Sequence, residues 1–255
     1  MSFNVLLSQL RLVICSVCLS AEALAEGRPQ LVVAYGSHNA PPIAIVNESS
    51  GEIASGVIYD MGLELAARVG ATPAFKLIPR KRLPFSLING DVHVYCEWNP
   101  AWTAQADKLF WSEPMYTSSD HFMVRVDSPI SLTHRDNLKG LVIGAIRGFK
   151  YSPALMAAVS QGHVVRVDVN SNQQNIDMLA LKRVDAIIIE KFISGYLLKG
   201  REDSGAFRIE PLVDDVKDRY CSFSPKTPVS IPNLQKAAAA MRADGTIEKI
   251  LQRYR

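Results

Sequence analysis

The chain has 255 residues, 48% of them hydrophobic and 21% charged, with a formal net charge of +3. This composition is typical of a globular protein of one large or two small domains, and it excludes a disordered or collagen-like chain. The 28 lysine and arginine residues are spread along the chain instead of forming a stripe, so the charge pattern predicts no nucleic-acid partner.

The first 25 residues have the features of a secretory signal peptide. Arg11 supplies a positive charge, residues 12–19 (LVICSVCL) form a short apolar core, and Ala23 and Ala25 are small residues at a cleavage site. The alternative is a membrane anchor, but this apolar core is much shorter than the ~20 residues that span a bilayer. We therefore expect residues 26–255 to reach the periplasm without stable insertion in the membrane.

Cleavage of the predicted signal peptide would remove two of the four cysteines. The other two, Cys96 and Cys221, would enter an oxidising compartment, where cysteines often pair. Their spacing leaves two alternatives open, one disulfide or two separately buried thiols. No CxxC pair remains after cleavage and the five histidines lack ligand spacing, so the sequence predicts no metal site and no cofactor.

The first half of the mature chain alternates strand and helix patterns. After each predicted strand the hydrophobic period changes from two residues to that of a helix. The predicted strands cover residues 31–35, 73–78 and 92–97, the predicted helices cover 57–69 and 80–90, and a hairpin is predicted over 42–51. The order β-α-β-α-β is typical of a parallel sheet with helices on both faces.

A second unit of the same kind follows an extended stretch at residues 120–126. Its predicted strands are 141–146, 163–169 and 185–190, and its predicted helices are 152–160, 172–182 and 193–198. Two further extended segments, 207–212 and 219–223, precede a helical tail at 233–242 and 247–254. Two α/β units joined by two extended crossings predict two lobes with a hinge at residues 117–124 and 219–223.

Motifs for catalysis are scarce. The chain contains no GxGxxG after a strand, no GxxxxGK[ST], no GxSxG and no HExxH. The candidates for a site are instead polar and aromatic residues at the carboxyl ends of predicted strands, where open α/β sheets bind their ligands. Both units contribute such residues, which are Arg80, Glu97, Trp98, Arg147 and Glu190. Each could also be a surface or packing residue, but their shared topology predicts a common pocket.

Five segments of the chain appear in an order and spacing found in one receptor family. They are APPIAIVNESSGEIASGVIYDMGLELAARVG, LINGDVHV, FWSEPMY, RVDAIII and RYCSFSPKTP. Over roughly residues 31–254 the chain thereby resembles the family 3 periplasmic solute-binding proteins, the polar amino acid receptors of ABC importers. The resemblance implies an α/β, two-lobed type II periplasmic binding protein fold, and a monomer that closes on a small solute and presents it to a permease. Lobe 1 would contain residues 26–118 and 222–255, and lobe 2 residues 119–221.

The resemblance also assigns roles, and several positions depart from the family pattern. The family's arginine for the ligand carboxylate lies six residues before the FS pair, and that position is Gln105 here. Glu190 replaces an aspartate that often holds the ligand ammonium group. Glu97 and Trp98 replace small residues, and Arg80 replaces an aromatic residue that often flanks the ligand.

These departures leave the charge of the ligand open. Two carboxylates and a tryptophan suit an amine or another cation. Arg80 and Arg147 could instead bind an acid group or neutralise the carboxylates, and the turn at Gly148 and Phe149 leads into a helix whose N-terminal amides could receive an anion. We expect a small polar solute, amino-acid-like or amine-bearing, and no enzymatic activity. The alternatives are a periplasmic dehydratase with Glu190 as general acid, and a sensor that acts on a membrane partner.

Overall fold

The computed structural model describes residues 27–36 and 38–255, so the predicted signal peptide at 1–25 lies outside the described residues. The strands in this part of the chain are β1 Gln30–Tyr35, β2 Ile45–Val46, β3 Ile53–Ser55, β4 Thr72–Leu77, β5 Val94–Trp98, β6 Phe110–Trp111, β7 Tyr116–Arg125, β8 Val142–Ile146, β9 Val165–Val169, β10 Ala186–Glu190 and β11 Phe207–Phe223. The helices are α1 Val57–Arg68, α2 Leu83–Asn89, α3 Pro153–Ser160, α4 Asn172–Ala180, α5 Lys191–Leu198, α6 Ile231–Ala243 and α7 Thr246–Gln252. Both predicted α/β units are thereby confirmed, with ends that shift by a few residues.

Nine strands form one sheet in the order β4-β1-β5-β11-β7-β10-β8-β9, with β6 also paired to β11. The three strands at each end of this order run parallel to one another. Between them, β11 and β7 are antiparallel to each other and to their outer neighbours. Each parallel group is the sheet of one α/β unit, so β7 and β11 lie where the two units join.

The buried apolar side chains divide in the same way. The largest cluster draws on residues 31–115 and 221–251, and the two smaller clusters draw on residues 122–212. We call the first half lobe 1, with β1–β6, α1, α2, α6 and α7, and the second half lobe 2, with β8–β10 and α3–α5. Within the described residues, none of the helices is long and apolar enough to cross a membrane.

Helix α1 illustrates how the sequence pattern becomes packing. Its buried side chains follow the helical period and face the sheet. Gly62 lies on this face, and a Cβ atom there would lie 2.9 Å from the ring of Phe75 on β4. The glycine therefore permits a close approach of helix and sheet. The helix ends before Gly70, whose φ of 67° is a conformation that glycine adopts without strain.

Strand β11 differs from the prediction, because the two extended segments at 207–212 and 219–223 form one continuous strand. The intervening VDDVKD sequence is too charged to be typical of a strand, but it pairs with β7. Two register shifts, between Ile209 and Val213 and between Val213 and Asp215, interrupt this pairing. Pro211, which has no amide hydrogen to donate, lies at the first of these shifts.

A disulfide joins Cys96 on β5 to Cys221 on β11, across a sequence separation of 125 residues. The two cysteines are register partners in neighbouring antiparallel strands. Of the two alternatives that the sequence left open, the structure has the bridge. It ties the second crossing strand to the sheet of lobe 1.

Candidate functional site

Buried ionisable side chains gather where β5, β11, β7 and β10 lie side by side. The four strands alternate inward and outward side chains, so residues two apart on one strand share a face. We call this group the charged cluster, and its members are Glu97, Tyr116, Asp120, Glu190, Lys217 and Arg219. It contains three carboxyl groups and two basic groups, from both lobes and both crossing strands.

Glu97 lies near the end of β5 with only 4% of its side chain exposed. The Tyr116 hydroxyl donates a short hydrogen bond to its Oε1, and its Oε2 lies 3.8 Å from Nε of Arg219. Burial raises the pKa of Glu97, and Arg219 and the Tyr116 hydrogen bond oppose this shift. The backbone φ of Glu97 is 104°, a conformation that costs a residue with a side chain on the order of 1–3 kcal/mol.

Glu190 is the last residue of β10 and caps the N-terminus of α5. Its Oε1 accepts a hydrogen bond of 3.0 Å from the amide of Phe192. Within the described residues, its Oε2 has no hydrogen-bond partner and its carboxylate makes no ion pair with a lysine or arginine. Burial raises the pKa of Glu190 to about 7, despite the amide hydrogen bond and nearby Arg219. The protein therefore stabilises the charge of this carboxylate poorly.

Asp120, on β7, is the register partner of Glu190. Lys217 on β11 forms a close ion pair with Asp120, and its Nζ also lies 3.4 Å from Oδ2 of Asp215. Burial raises the pKa of Asp120, and Lys217 opposes the shift. The Lys217 ammonium also lies 5.1 Å from the centre of the Phe149 ring. The charge of Lys217 is thus matched within the protein.

Arg219 is the other basic group of the charged cluster, with 14% of its side chain exposed. Its Nε donates a hydrogen bond of 3.0 Å to Oγ of Ser118, and its guanidinium carbon lies 4.8 Å from the centre of the Trp102 ring. Burial disfavours its charge, but Glu97 and the other acidic groups around it keep the pKa of Arg219 raised. Arg219 therefore stays cationic in a largely buried setting.

An aromatic group borders the cluster on the side of lobe 1. The Trp98 ring packs against Tyr95 at 5.9 Å and Trp111 at 5.4 Å between ring centres. The Tyr95 hydroxyl contacts Nε2 of His38 at 3.2 Å and accepts a hydrogen bond from Nδ2 of Asn39 at 3.0 Å. Burial, together with nearby Arg80, lowers the pKa of His38 to about 4. His38 is therefore neutral at physiological pH and adds no charge to the site.

With this geometry in place, the comparisons with known proteins identify the family. A family model described as bacterial extracellular solute-binding proteins, family 3, matches residues 31–255. The chain belongs to this family. The resemblance found in the sequence is thereby confirmed.

Solved structures agree on the fold of this family 3 protein. A periplasmic binding protein of an arginine 3rd transport system from Legionella pneumophila matches with a TM-score of 0.66 and 21% identity, over 89% of this chain and 100% of the other. A substrate-binding protein of an amino acid ABC transporter matches with a TM-score of 0.63 and 21% identity, over 88% and 98% of the two chains. An ancestral amino acid-binding protein, described as a precursor of cyclohexadienyl dehydratase, matches with a TM-score of 0.66 and 16% identity, over 89% and 95%. No curated protein sequence matches the chain. The predicted type II periplasmic binding protein fold, with two α/β lobes, is confirmed.

The structure places the eight predicted site residues of this family 3 protein in different settings. Glu97 and Glu190 belong to the charged cluster, and Trp98 lies beside it in the core of lobe 1. Phe149 borders the cluster through Lys217. These four therefore lie together at the junction of the lobes.

The other four predicted residues lie further from this centre. Gln105 is half-buried in the loop before β6, and its Oε1 accepts a hydrogen bond of 3.1 Å from Oγ1 of Thr103. Arg80 is exposed but close enough to His38 to affect its pKa. Arg147 and Gly148 are exposed in the turn after β8.

Four members of the charged cluster were not among the predicted residues of the site, namely Tyr116, Asp120, Lys217 and Arg219. They lie within the crossing strands, whereas the prediction considered residues at the carboxyl ends of the parallel strands. Alternation along β7 and β11 is the signal that could have found them, because Tyr116 and Asp120 share one face of β7, and Lys217 and Arg219 share one face of β11.

Proposed function

We propose that this family 3 protein is a receptor that closes its lobes on a small amine-bearing or amino-acid-like solute and delivers it to an ABC importer. The observation that carries this proposal is the partly buried carboxyl group of Glu190. It has one oxygen without a hydrogen-bond partner in the described residues, and it lies within electrostatic reach of Glu97 in lobe 1.

The charges of the cluster support an ammonium group on the ligand. Lys217 pairs with Asp120, and Arg219 lies beside Glu97. Glu190 is then the acidic group of the cluster without an ion-pair partner in the described residues, and burial raises its pKa to about 7. A ligand ammonium group at Oε2 would supply the opposite charge and favour the ionised carboxylate.

The core supports closure about the crossing strands. We propose the lobe boundaries 26–118 with 222–255 and 119–221. The apolar clusters divide close to these positions, between residues 115 and 122 and between 212 and 221, and Cys221 at the second boundary packs in the core of lobe 1. Strands β7 and β11 would absorb the rotation, and a ligand that contacts both lobes would favour the closed state.

Besides the contacts made by the crossing strands, the described residues show contacts between α5 or the loop after it and lobe 1. Phe192 at the start of α5 packs against the core of lobe 1. Nζ of Lys199 donates a hydrogen bond of 3.3 Å to the backbone oxygen of Arg255. Phe192 lies two residues from Glu190, so a ligand held by Glu190 would be enclosed as this contact forms.

Family membership supports the location and the partner. The solved relatives include proteins named for amino acid and arginine transport. With the predicted signal peptide at residues 1–25, the proposal is a periplasmic monomer that works with a membrane permease. The predicted ligand residues remain Arg80, Glu97, Trp98, Gln105, Arg147, Gly148, Phe149 and Glu190, with no catalytic role for any of them.

A dehydratase-like enzyme is the second candidate function, because a carboxyl group with a pKa of about 7 is suited to general acid catalysis at neutral pH. In that case Glu190 would donate a proton to a leaving hydroxyl group. The ligand would then be consumed, whereas a receptor returns it unchanged.

A thermal-shift screen of residues 26–255 against amino acids, amines, polyamines and small organic acids tests the proposal. A ligand that binds only the native state at 100 times its Kd stabilises that state by about 2.7 kcal/mol, which raises the melting temperature. We expect amine-bearing compounds to give the hits, and we expect Glu190→Gln to weaken their binding at least about tenfold, since it removes the opposite charge for the ligand ammonium group.

Glu202→Gln is the matched control, because Glu202 is an exposed glutamate in lobe 2. It should bind the hits as the wild type does. Equal affinity in the wild type and Glu190→Gln would remove Glu190 from the site, and consumption of a hit would favour the enzyme.

A further inference from the structure

We propose that Arg219, on the second crossing strand, binds an acid group of the ligand, so that the solute is a zwitterion with ammonium and carboxylate groups close together. This inference rests on the proposed function, because it specifies the ligand class of the same site. It assigns the acid group to a residue outside the predicted set.

The hydrogen bonding of Arg219 is incomplete. A guanidinium group has five N–H donors, and only the one at Nε has an acceptor in the described residues, Oγ of Ser118 at 3.0 Å. The closest approach to Glu97 is 3.8 Å, again at Nε, which is too long for a hydrogen bond. The two terminal nitrogens are therefore without a protein acceptor in this part of the chain, although the side chain is largely buried.

These terminal nitrogens face accessible space. In the described residues, the fully enclosed side-chain atoms that lack a hydrogen-bond partner are on His121 and Asn175, not on Arg219. Trp102, over which the guanidinium group stacks, is 37% exposed, so the stack lies at an opening of the site. A ligand entering there would meet the two terminal nitrogens.

The surroundings also fix the orientation of the guanidinium group. The Trp102 ring stacks over it, and the Ser118 hydroxyl and the Glu97 carboxylate both lie at Nε, on the edge away from the terminal nitrogens. A planar fork held in this way matches the two oxygens of a carboxylate, which can accept parallel hydrogen bonds from both terminal nitrogens. Little side-chain entropy would be lost on binding, because the fork is already oriented.

The other candidates for the acid group are less suited to it. Gln105 has no charge and is hydrogen-bonded to Thr103. Arg80 and Arg147 are exposed, so water competes for their donors. Arg219 lies within electrostatic reach of both Glu97 and Glu190. A ligand with an ammonium group at Glu190 and a carboxylate at Arg219 would contact lobe 2 and the crossing strand at once.

Pairs of compounds that differ only by a carboxylate provide the test. They are L-arginine and agmatine, L-histidine and histamine, L-lysine and cadaverine, and L-ornithine and putrescine. Affinities are measured by calorimetry for the wild type, Arg219→Gln and Arg219→Lys. In at least one pair we expect the wild type to prefer the amino acid by about 30-fold or more, because only the amino acid has a carboxylate that can accept two charge-assisted hydrogen bonds from Arg219.

Arg219→Gln should reduce this preference to a few-fold while retaining the affinity for the amine, which also shows that the variant folds. Arg219→Lys keeps the charge beside Glu97 but lacks the fork, so it should lose at least about tenfold for the amino acid. If Arg219→Gln does not fold, the affinities of Arg219→Lys provide the test instead. Arg183→Gln, at an exposed arginine of lobe 2, is the control and should behave as the wild type.

An unchanged preference in both Arg219 variants would overturn this inference and leave the proposed receptor function intact. Equal affinities of the wild type for the amines and the amino acids would also overturn the inference and leave the proposed receptor function intact. If no member of any pair binds the wild type, both the inference and the proposed ligand class are overturned.

Discussion

Glu97 and Glu190 occupy conformations and surroundings that lower the stability of the free protein. Glu97 has a positive φ, and Glu190 has a partly buried carboxyl group with one oxygen that has no partner in the described residues. Unfavourable local features of this kind are often found at binding sites, where they are offset by the rest of the fold. Both residues are therefore best tested by the stability of the ligand-free protein.

Replacing Glu190 by glutamine should change how stability depends on pH. The pKa of this group is about 7 in the folded protein and 4.5 as a model value, so the folded state binds more protons between these pH values. The wild type therefore loses stability as pH rises from about 4.5 to about 7, and Glu190→Gln does not. We expect the variant to be more stable at pH 8 by up to about 3 kcal/mol, with little difference near pH 4.5.

Urea denaturation at several pH values measures this difference. Glu202→Gln should follow the wild type throughout. A constant difference between the wild type and Glu190→Gln at all pH values would contradict the raised pKa of Glu190.

The affinity for an amine-bearing ligand should depend on the same group. Because the ligand ammonium group requires the ionised carboxylate, affinity should fall by about tenfold for each pH unit below 7 and level off above it. Calorimetric titrations of the wild type from pH 5 to 8 would show this, and Glu190→Gln should give a nearly flat profile. A wild-type affinity that is constant over this range would exclude Glu190 as the ammonium partner.

The positive φ of Glu97 can be separated from its carboxyl group by two substitutions. Glu97→Ala and Glu97→Gly both remove the carboxyl group, but only glycine adopts a φ of 104° without strain. We expect Glu97→Gly to be more stable than Glu97→Ala by about 1 kcal/mol in urea denaturation, whereas glycine is normally the less stable residue in a strand. The usual order, with alanine more stable, would mean that the backbone at Glu97 is not strained.

At this scale the sequence predicted part of the site. Glu97 and Glu190 were found because they lie at the carboxyl ends of buried strands, and the topological rule directs attention to such positions. Arg219 was not found because it lies within a strand, and its importance depends on which strands are neighbours. Strand β11 lies between β5 and β7 in the sheet. This order is a feature of the tertiary structure, and the hydrophobic period of the sequence does not reveal it.

At the scale of elements, the disulfide links lobe 1 to the strand that carries Arg219. Cys96 precedes Glu97, and Cys221 follows Arg219 by two residues. The bridge therefore fixes the two strands on which this carboxylate and guanidinium group lie. The proposed export would place this bond in an oxidising compartment, where disulfides persist.

Removal of the disulfide should destabilise the protein by up to about 4 kcal/mol, because it closes a long loop across 125 residues of sequence. Thermal melts with and without dithiothreitol measure this, with a Cys96→Ser, Cys221→Ser double variant as the control that should not respond to the reductant. Equal melting temperatures of the wild type in the two conditions would show that the bridge adds no stability.

The elements themselves were predicted better than their connections. The helices and parallel strands follow clear periods, which sequence patterns reveal. The residues VDDVKD in β11 were missed as a strand because their charges are matched by neighbours, such as Asp120 for Lys217, that only the fold brings together. The pairing of Cys96 with Cys221 stayed open for a similar reason, since it depends on the register of two distant strands.

At the scale of the whole molecule, two lobes with separate cores meet at a charged centre on the strands that join them. Each lobe has its own apolar core, and the charged cluster with a few bordering aromatic rings lies at the junction between them. The contacts of Phe192 and Lys199 with the other lobe are small. This arrangement favours rotation of whole lobes over local rearrangement, which is the basis of the proposed closure.

Small-angle scattering of residues 26–255, with and without a saturating hit from the screen, tests the central claim that a solute is enclosed between the lobes. We expect the ligand-bound protein to scatter as calculated from this structure, in which Phe192 touches lobe 1, and the ligand-free protein to have a larger radius of gyration. Identical scattering curves, with binding verified in the same samples, would contradict closure of the two lobes on a solute.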